Sequence, residues 1–258
     1  MDLHLDEKLG EGYSSNSQKA RVITESWTES NLFCPVCGEP HLKHCKVSSP
    51  VADFYCEHCH SEYEQKSQGE KKRGGLPNTL EGGAYTAMEA RLRSDKNPNL
   101  LVLTYADGIV KNLVVIPKHF FSMSVVEKRK PLSPTARRAG WVGSHILLKD
   151  IPESGIIYIV RNGIEEDPKE VHAKYLKTLP LKTTSLTSRG WLLDVLKCVE
   201  GIPTKDFTLV DVYACISDLA KKHPGNCHIN DKIRQQLQVL RDKGFIVFVG
   251  RGKYRKIV

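Results

Sequence analysis

The run VADFYC at 51–56 enters a cysteine pair, CEHC at 56–59, and SEYEQKS at 61–67 leaves it, while a matching pair, CPVC, stands upstream at 34–37. Both runs are strand-sized and extended, so they read as the two arms of a hairpin around the second pair. The four cysteines give C-x2-C-x18-C-x2-C, within the spacing of a zinc ribbon. Two tight turns, each presenting two thiolates, fill the tetrahedral shell of Zn²⁺ and leave no position for water or substrate. Cys34, Cys37, Cys56 and Cys59 are therefore expected to hold a structural zinc, with His41, His44, His58 and His60 unneeded as ligands. A pair of redox CxxC motifs is the rival reading, disfavoured by the matched spacing. Cys45, Cys198, Cys215 and Cys227 stand singly and are expected in the core or at the surface.

If that metal is structural, the chemistry lies elsewhere. Asp53 sits on the entering arm and Glu64 and Lys66 on the leaving arm, in the pattern D-x10-E-x-K. Side chains alternate along a strand, so Glu64 and Lys66 share a face, and the hairpin can bring Asp53 beside them. Two carboxylates and an amine suit phosphodiester hydrolysis: the acids hold Mg²⁺, which polarises the phosphate and acidifies a bound water. Lys66 would orient that water or offset developing charge, and the Gln65 carbonyl is a further candidate metal ligand. A solvated edge strand carries the same residue types, so the pattern alone does not decide the matter.

Outward from the hairpin, strands and helices mix. A helix is expected from Asn16 or Ser17, carrying Ala20, Ile23 and Trp27 on one face. Residues 67–80 read as a loop, and Ala84, Ala87, Met88 and Leu92 mark a second helix face. LLVLTY at 100–105, LVVIP at 113–117 and IIYIV at 156–160 read as strands, the first two separated by ADGIVKN. This mixture predicts an α/β domain with a mixed sheet over residues 1–182. The apolar runs are far too short to cross a bilayer, and MDLHLDEKLGEGY lacks the apolar core of a secretory leader. A cytoplasmic protein with reduced thiols and no obligate protein partner is expected.

After the polar stretch KTLPLKTTSLTS at 177–188 the pattern becomes helical, giving a second domain over 183–258. Ser188 is expected to cap a helix bearing Leu192, Val195, Leu196 and Val199, and Thr208 one bearing Val212, Cys215, Ile216 and Leu219. A third helix after Asn230 buries Ile233, Leu237 and Leu240 and stops at Gly244. FIVFV at 245–249 and YRKIV at 254–258, joined through GRGK, close a hairpin. Three helices and a hairpin make a winged helix. The chain's net charge is +8, and residues 230–258 hold eight Lys or Arg against two Asp, a local footprint for a phosphate backbone.

The blocks SSNSQKAR, PVADFYC, PTARRAGW, KIRQQLQVLRDK and GRGKYRK together resemble the methyl-directed restriction endonucleases of the DpnI type, across both domains. The Asp53–Lys66 segment is similar to the PD-(D/E)xK nuclease signature, with Ala52 where the proline is expected and Pro50 two positions earlier. The resemblance implies a PD-(D/E)xK nuclease domain with an embedded zinc site. It also implies Mg²⁺-dependent cutting of double-stranded DNA at adenine-methylated GATC, with Asp53, Glu64 and Lys66 catalytic. The third winged helix then presents Arg234, Gln238 and Arg241, with Gln235 adjacent, to base edges, and Arg251 and Lys253 in the wing face phosphate. A solvated helix face has the same composition. Arg137, Arg138 and Trp141 fall in an expected loop, where Trp141 fits either base or methyl contact or a core anchor. The competing function is a non-catalytic reader of methylated DNA on a retired nuclease scaffold.

Overall fold

The computed structural model describes residues 1–45, 52–70, 74–94, 96–183 and 185–257. Pro50 and Val51 of the PVADFYC block, residues 71–73 of the expected loop, Thr184 and Val258 lie outside them. In chain order the elements are α1 (Asn16–Asn31), β1 (Lys43–His44), β2 (Phe54–Tyr55), β3 (Glu62–Gly69), β4 (Thr79–Ala84) and α2 (Tyr85–Arg93). There follow β5 (Asn99–Ala106), β6 (Ile109–Ile116), β7 (Val126–Lys128), β8 (Gly143–Leu147), β9 (Ile157–Arg161), β10 (Ile164–Glu165) and α3 (Pro168–Thr178). The remainder is α4 (Leu186–Gly201), β11 (Asp206–Thr208), α5 (Leu209–Tyr213), α6 (Ile216–Lys222), α7 (Ile229–Asp242), β12 (Ile246–Gly250) and β13 (Lys253–Lys256).

Contacts gather these into two compact units, neither continuous in sequence. One comprises Met1–Asn78, Asn97–Lys118 and Gly155–Leu179, the other Thr79–Lys96, His119–Ser154 and Pro180–Val258. The first unit is built on a seven-stranded sheet in the order β1-β2-β3-β5-β6-β9-β10. Only β3 and β5 pair in parallel; the other neighbours are antiparallel, so the sheet is mixed as its sequence predicts. Two hairpins close through two-residue loops, Asp107–Gly108 (φ 53° and 69°) and Asn162–Gly163 (φ 52° and 76°). Positive φ at both central residues is the backbone of a type I′ turn, whose twist matches the flanking strands and which favours Asp-Gly and Asn-Gly. Most of ADGIVKN, expected as a connection, is therefore strand, because this turn consumes only Asp107 and Gly108.

Leu101, Leu103, Val115, Ile157 and Ile159 from the central strands share a core with Trp27 of α1 and Val171 and Tyr175 of α3. Helix α1 is seated by two hydrogen bonds: Trp27 Nε1 donates to the Asp2 carbonyl at 2.7 Å, and Thr28 Oγ1 to Gln65 Oε1 of β3 at 2.7 Å. Helix α3 starts on an Asp167 cap with Pro168 in its first turn, the arrangement that leaves no orphan donor for the proline to remove. No helix among the described residues is long and apolar enough to cross a membrane.

The second unit holds a three-stranded antiparallel sheet, β4-β8-β7, and a C-terminal winged helix whose wing sheet runs β11-β13-β12. Helix α4 packs on α7, burying Leu192, Leu196, Ile233, Leu237 and Leu240. Three details depart from expectation. The cap of α4 is Ser185, whose Oγ accepts from Ser188 N at 3.3 Å, not Ser188 itself. The helix capped by Thr208, through a reciprocal capping box with Asp211, breaks after Tyr213 into α5 and α6. Strand β11 adds a third wing strand, since three residues are too few to show a period. Gly244 does end α7, at φ 80°.

Asp194 on α4, almost fully buried, accepts from Lys222 Nζ at 3.1 Å and His223 Nε2 at 2.9 Å, and His223 stacks on Trp191. Burial draws the Lys222 pKa down, and Asp194 and Asp150 more than restore it. Asp194→Ala would leave buried donors and a cation short of their partner, and is expected to cost about 3 kcal/mol. A thermal melt unchanged from wild type would show that water reaches this cluster.

Candidate active site and metal centre

The two cysteine pairs fold into matching turns. In the first, Cys34 N donates to the Glu39 carbonyl at 2.7 Å and Gly38 N to the Cys34 carbonyl at 2.8 Å. In the second, Cys56 N donates to Ser61 and His60 N to Cys56, both at 2.9 Å. The fourth residue after each leading cysteine takes positive φ, 80° at Gly38 and 57° at His60. His60 thus serves as a turn residue. All four sulfurs converge: Cys34 Sγ lies 3.6 Å from Cys59 Sγ and Cys37 Sγ 3.6 Å from Cys56 Sγ, with every ligand atom of the four within 4.8 Å of the others. Four sulfurs about 2.3 Å from a tetrahedral zinc stand about 3.8 Å apart, so this cluster could hold zinc. Burial pushes the Cys34 thiol well above its ordinary pKa. Burial acts the same way on Cys59, but hydrogen bonding with Ser61 and with the Cys37 and Cys34 sulfurs outweighs it and lowers that thiol.

Strands β2 and β3 pair as the hairpin reading requires, Phe54 opposite Tyr63 and Tyr55 opposite Glu62. Asp53 lies just before β2, its backbone N donating to the Tyr63 carbonyl at 2.9 Å. Its Oδ2 accepts from Gln65 N at 2.7 Å, which fixes the carboxylate against β3. One residue either side of Gln65, Glu64 and Lys66 share a strand face and form an ion pair at 2.8 Å. The structure therefore brings Asp53, Glu64 and Lys66 together around Gln65, whose side chain points the other way, to Thr28. Burial, together with the charges of Glu25 and Glu64, holds the Asp53 carboxyl above the usual carboxylate range, against the pull of the Gln65 N–H.

Glu25 belongs to a group that the sequence pattern did not include. From α1, Arg21 Nε donates to Glu25 Oε1 at 2.7 Å and Arg21 Nη2 lies 3.7 Å from Asp53 Oδ1. Glu25 Oε2 meets His44 Nε2 at 2.9 Å. The i,i+4 spacing of Arg21 and Glu25 is visible in the sequence; that it docks beside Asp53 is not.

Residues 1–184 match the DpnI family, described as the Dam-replacing family, and residues 187–256 match its helix-turn-helix domain, described as the Dam-replacing HTH domain. The chain belongs to the DpnI family. Membership places it among nucleases, and its HTH domain among DNA-binding domains.

In the DpnI HTH domain, α7 leaves Arg234, Gln235, Gln238 and Arg241 exposed on the side opposite Ile233, Leu237 and Leu240. Aromatic rings support two of these arginines: Arg241 lies 4.6 Å over Phe248 of β12, and Arg234 5.9 Å from the Tyr213 ring. The sequence offers one sign of this support, an aromatic at the solvent-facing strand position Phe248, and none for Tyr213 at the end of α5. Arg251 and Lys253 are exposed at the wing tip. Arg137, Arg138 and Trp141 lie in a turn-rich loop between β7 and β8, where Arg138 stacks 4.7 Å over the Trp141 ring. Trp141 is half-buried, its ring so close to Gly143 that a Cβ there would stand 2.7 Å from it. The ring is thus held between Gly143 and the Arg138 guanidinium.

Proposed function

We propose that this DpnI-family protein is a Mg²⁺-dependent endonuclease that cuts double-stranded DNA at GATC sites methylated on adenine, acting in the cytoplasm. The observation that carries the reading is the Asp53 carboxylate held on Gln65 N–H beside the Glu64–Lys66 pair. Asp53, Glu64 and the Gln65 carbonyl are oxygen donors of the kind Mg²⁺ takes. When bound there, Mg²⁺ supplies Lewis acidity to a phosphate and to an attacking water. Lys66 orients that water as its oxygen bonds to phosphorus. One P–O ester bond breaks, and the leaving alcohol takes a proton. The four cysteines hold a structural zinc.

The winged helix supplies recognition. Arg241 and Arg234, stiffened by the rings beneath them, suit guanine edges; Gln235 and Gln238 suit adenine. Arg251 and Lys253 contact phosphate. The adenine methyl projects into the major groove, where apolar surface senses it, and Trp141 beside Arg137 and Arg138 offers a second such surface.

The test is digestion of one plasmid, prepared with and without adenine methylation at GATC, by wild type and Lys66→Ala in Mg²⁺. Wild type is expected to cut the methylated plasmid alone, and the variant neither. Equal cutting of both plasmids removes methyl-direction. Binding without cutting favours a non-catalytic reader.

A further inference from the structure

Helix α1 brings to the acidic site a cation that D-x10-E-x-K does not contain. Arg21 is tied at one edge, Nε to Glu25 at 2.7 Å, while its Nη2 stands 3.7 Å from Asp53 Oδ1. That second distance is too long for a hydrogen bond and leaves a contact between charges only. Among the described residues no hydrogen bond is made by the Nη atoms, and the side chain is 63% exposed against 20% for Asp53.

Glu25 is itself held. Its other oxygen meets His44 Nε2 at 2.9 Å, and His44 Nδ1 lies 2.8 Å from the Cys45 carbonyl. A carbonyl only accepts, so Nδ1 is the donor to it and the ring is anchored on that side. Glu25 is thus held between Arg21 and His44, and it aims the Arg21 fork at the outer side of Asp53. Lys66 is engaged with Glu64 at 2.8 Å and is a compact point charge. A planar guanidinium with free N–H groups matches the paired non-bridging oxygens of a phosphodiester better than an ammonium does.

We propose that Arg21 is a catalytic residue that grips a non-bridging oxygen of the scissile phosphate, with Glu25 as the positioning residue that aims it. The inference rests on the nuclease reading of Asp53, Glu64 and Lys66. Without DNA the guanidinium leans on Asp53; with DNA it turns to the phosphate, whose non-bridging oxygens gain charge as water adds and the ester bond breaks.

The experiment compares full-length, zinc-loaded wild type, Arg21→Gln and Arg21→Lys. Single-turnover cutting of a methylated GATC duplex is measured across Mg²⁺ concentration, and Mn²⁺ affinity without DNA by electron paramagnetic resonance. Arg21→Gln is expected to lose roughly a hundredfold in cutting rate at every Mg²⁺ concentration, with Mn²⁺ affinity unchanged or tighter. Arg21→Lys, which keeps the charge but not the fork, should recover only part. Cutting by Arg21→Gln within about threefold of wild type overturns the proposal, as does a loss that excess Mg²⁺ repairs in step with weakened Mn²⁺ binding; that result makes Arg21 a tuner of the metal site. If wild type fails to cut at all, the nuclease reading falls and takes this one with it.

Discussion

Cys56→Ser is expected to unfold the hairpin that carries the candidate active site and to abolish zinc binding at the four-cysteine cluster. Cys56 ends the β2 arm and Cys34 follows α1, so the four-sulfur cluster ties the helix end to the strands bearing Asp53, Glu64 and Lys66. Strand β2 has only two residues and β1 two; neither can hold its register by pairing alone. A structural zinc in a small site contributes on the order of 10 kcal/mol of folding free energy, comparable to the whole stability of a domain. Serine cannot replace a thiolate as a soft ligand. Wild type should contain one zinc per chain by metal analysis, and the variant none, with a lowered and less cooperative thermal transition by circular dichroism. Cys227→Ser, at an exposed lone cysteine, should change neither. A zinc-free Cys56→Ser that melts like wild type would rule out the structural role.

How much of this was legible in the sequence depends on the range of the interaction. The zinc spacing, the hairpin and the shared face of Glu64 and Lys66 are set by residues at most 32 positions apart, from Cys34 to Lys66, and by strand alternation, so they could be read directly. Turn chemistry at Asp107–Gly108 and Asn162–Gly163 was written in the residues but needed the knowledge that two residues suffice. Arg21, Glu25 and His44 were not found as a group, because no local period records which side of β3 receives α1. The Thr28–Gln65 hydrogen bond that fixes this joins residues 37 apart. Nor does periodicity show that Thr79–Lys96 and His119–Ser154 pack in one unit with the C-terminal helices. Phe248 under Arg241 and the short β11 fall in the same class, since each depends on what faces the residue across the fold.

Asp53→Asn is expected to abolish cutting while leaving the metal-free protein as stable as wild type or more so. The amide keeps an oxygen for Gln65 N–H, so the 2.7 Å hydrogen bond survives. What it removes is a charge that burial and the neighbouring carboxylates of Glu25 and Glu64 oppose, as the raised Asp53 pKa records. The lost contact with Arg21, at 3.7 Å to an exposed guanidinium, is worth little. Because the folded-state pKa lies above the unfolded value, the folded protein binds the proton more readily, and this carboxyl's contribution to stability declines as pH rises through that window. Wild type without Mg²⁺ should therefore gain stability relative to Asp53→Asn as pH falls from neutrality toward the usual carboxylate range. Its cutting should weaken over the same descent, since the proton competes with the metal for Asp53. The variant should cut at least about a thousandfold more slowly, on the order of 4 kcal/mol of barrier. Both melts belong in buffer free of Mg²⁺ and of chelator, so that the proposed zinc at the four-cysteine site is not stripped. An Asp53→Asn protein less stable than wild type at neutral pH would mean that the carboxylate is a structural anchor. In that case the acidic cluster exists for the fold, and the site would have to be sought elsewhere.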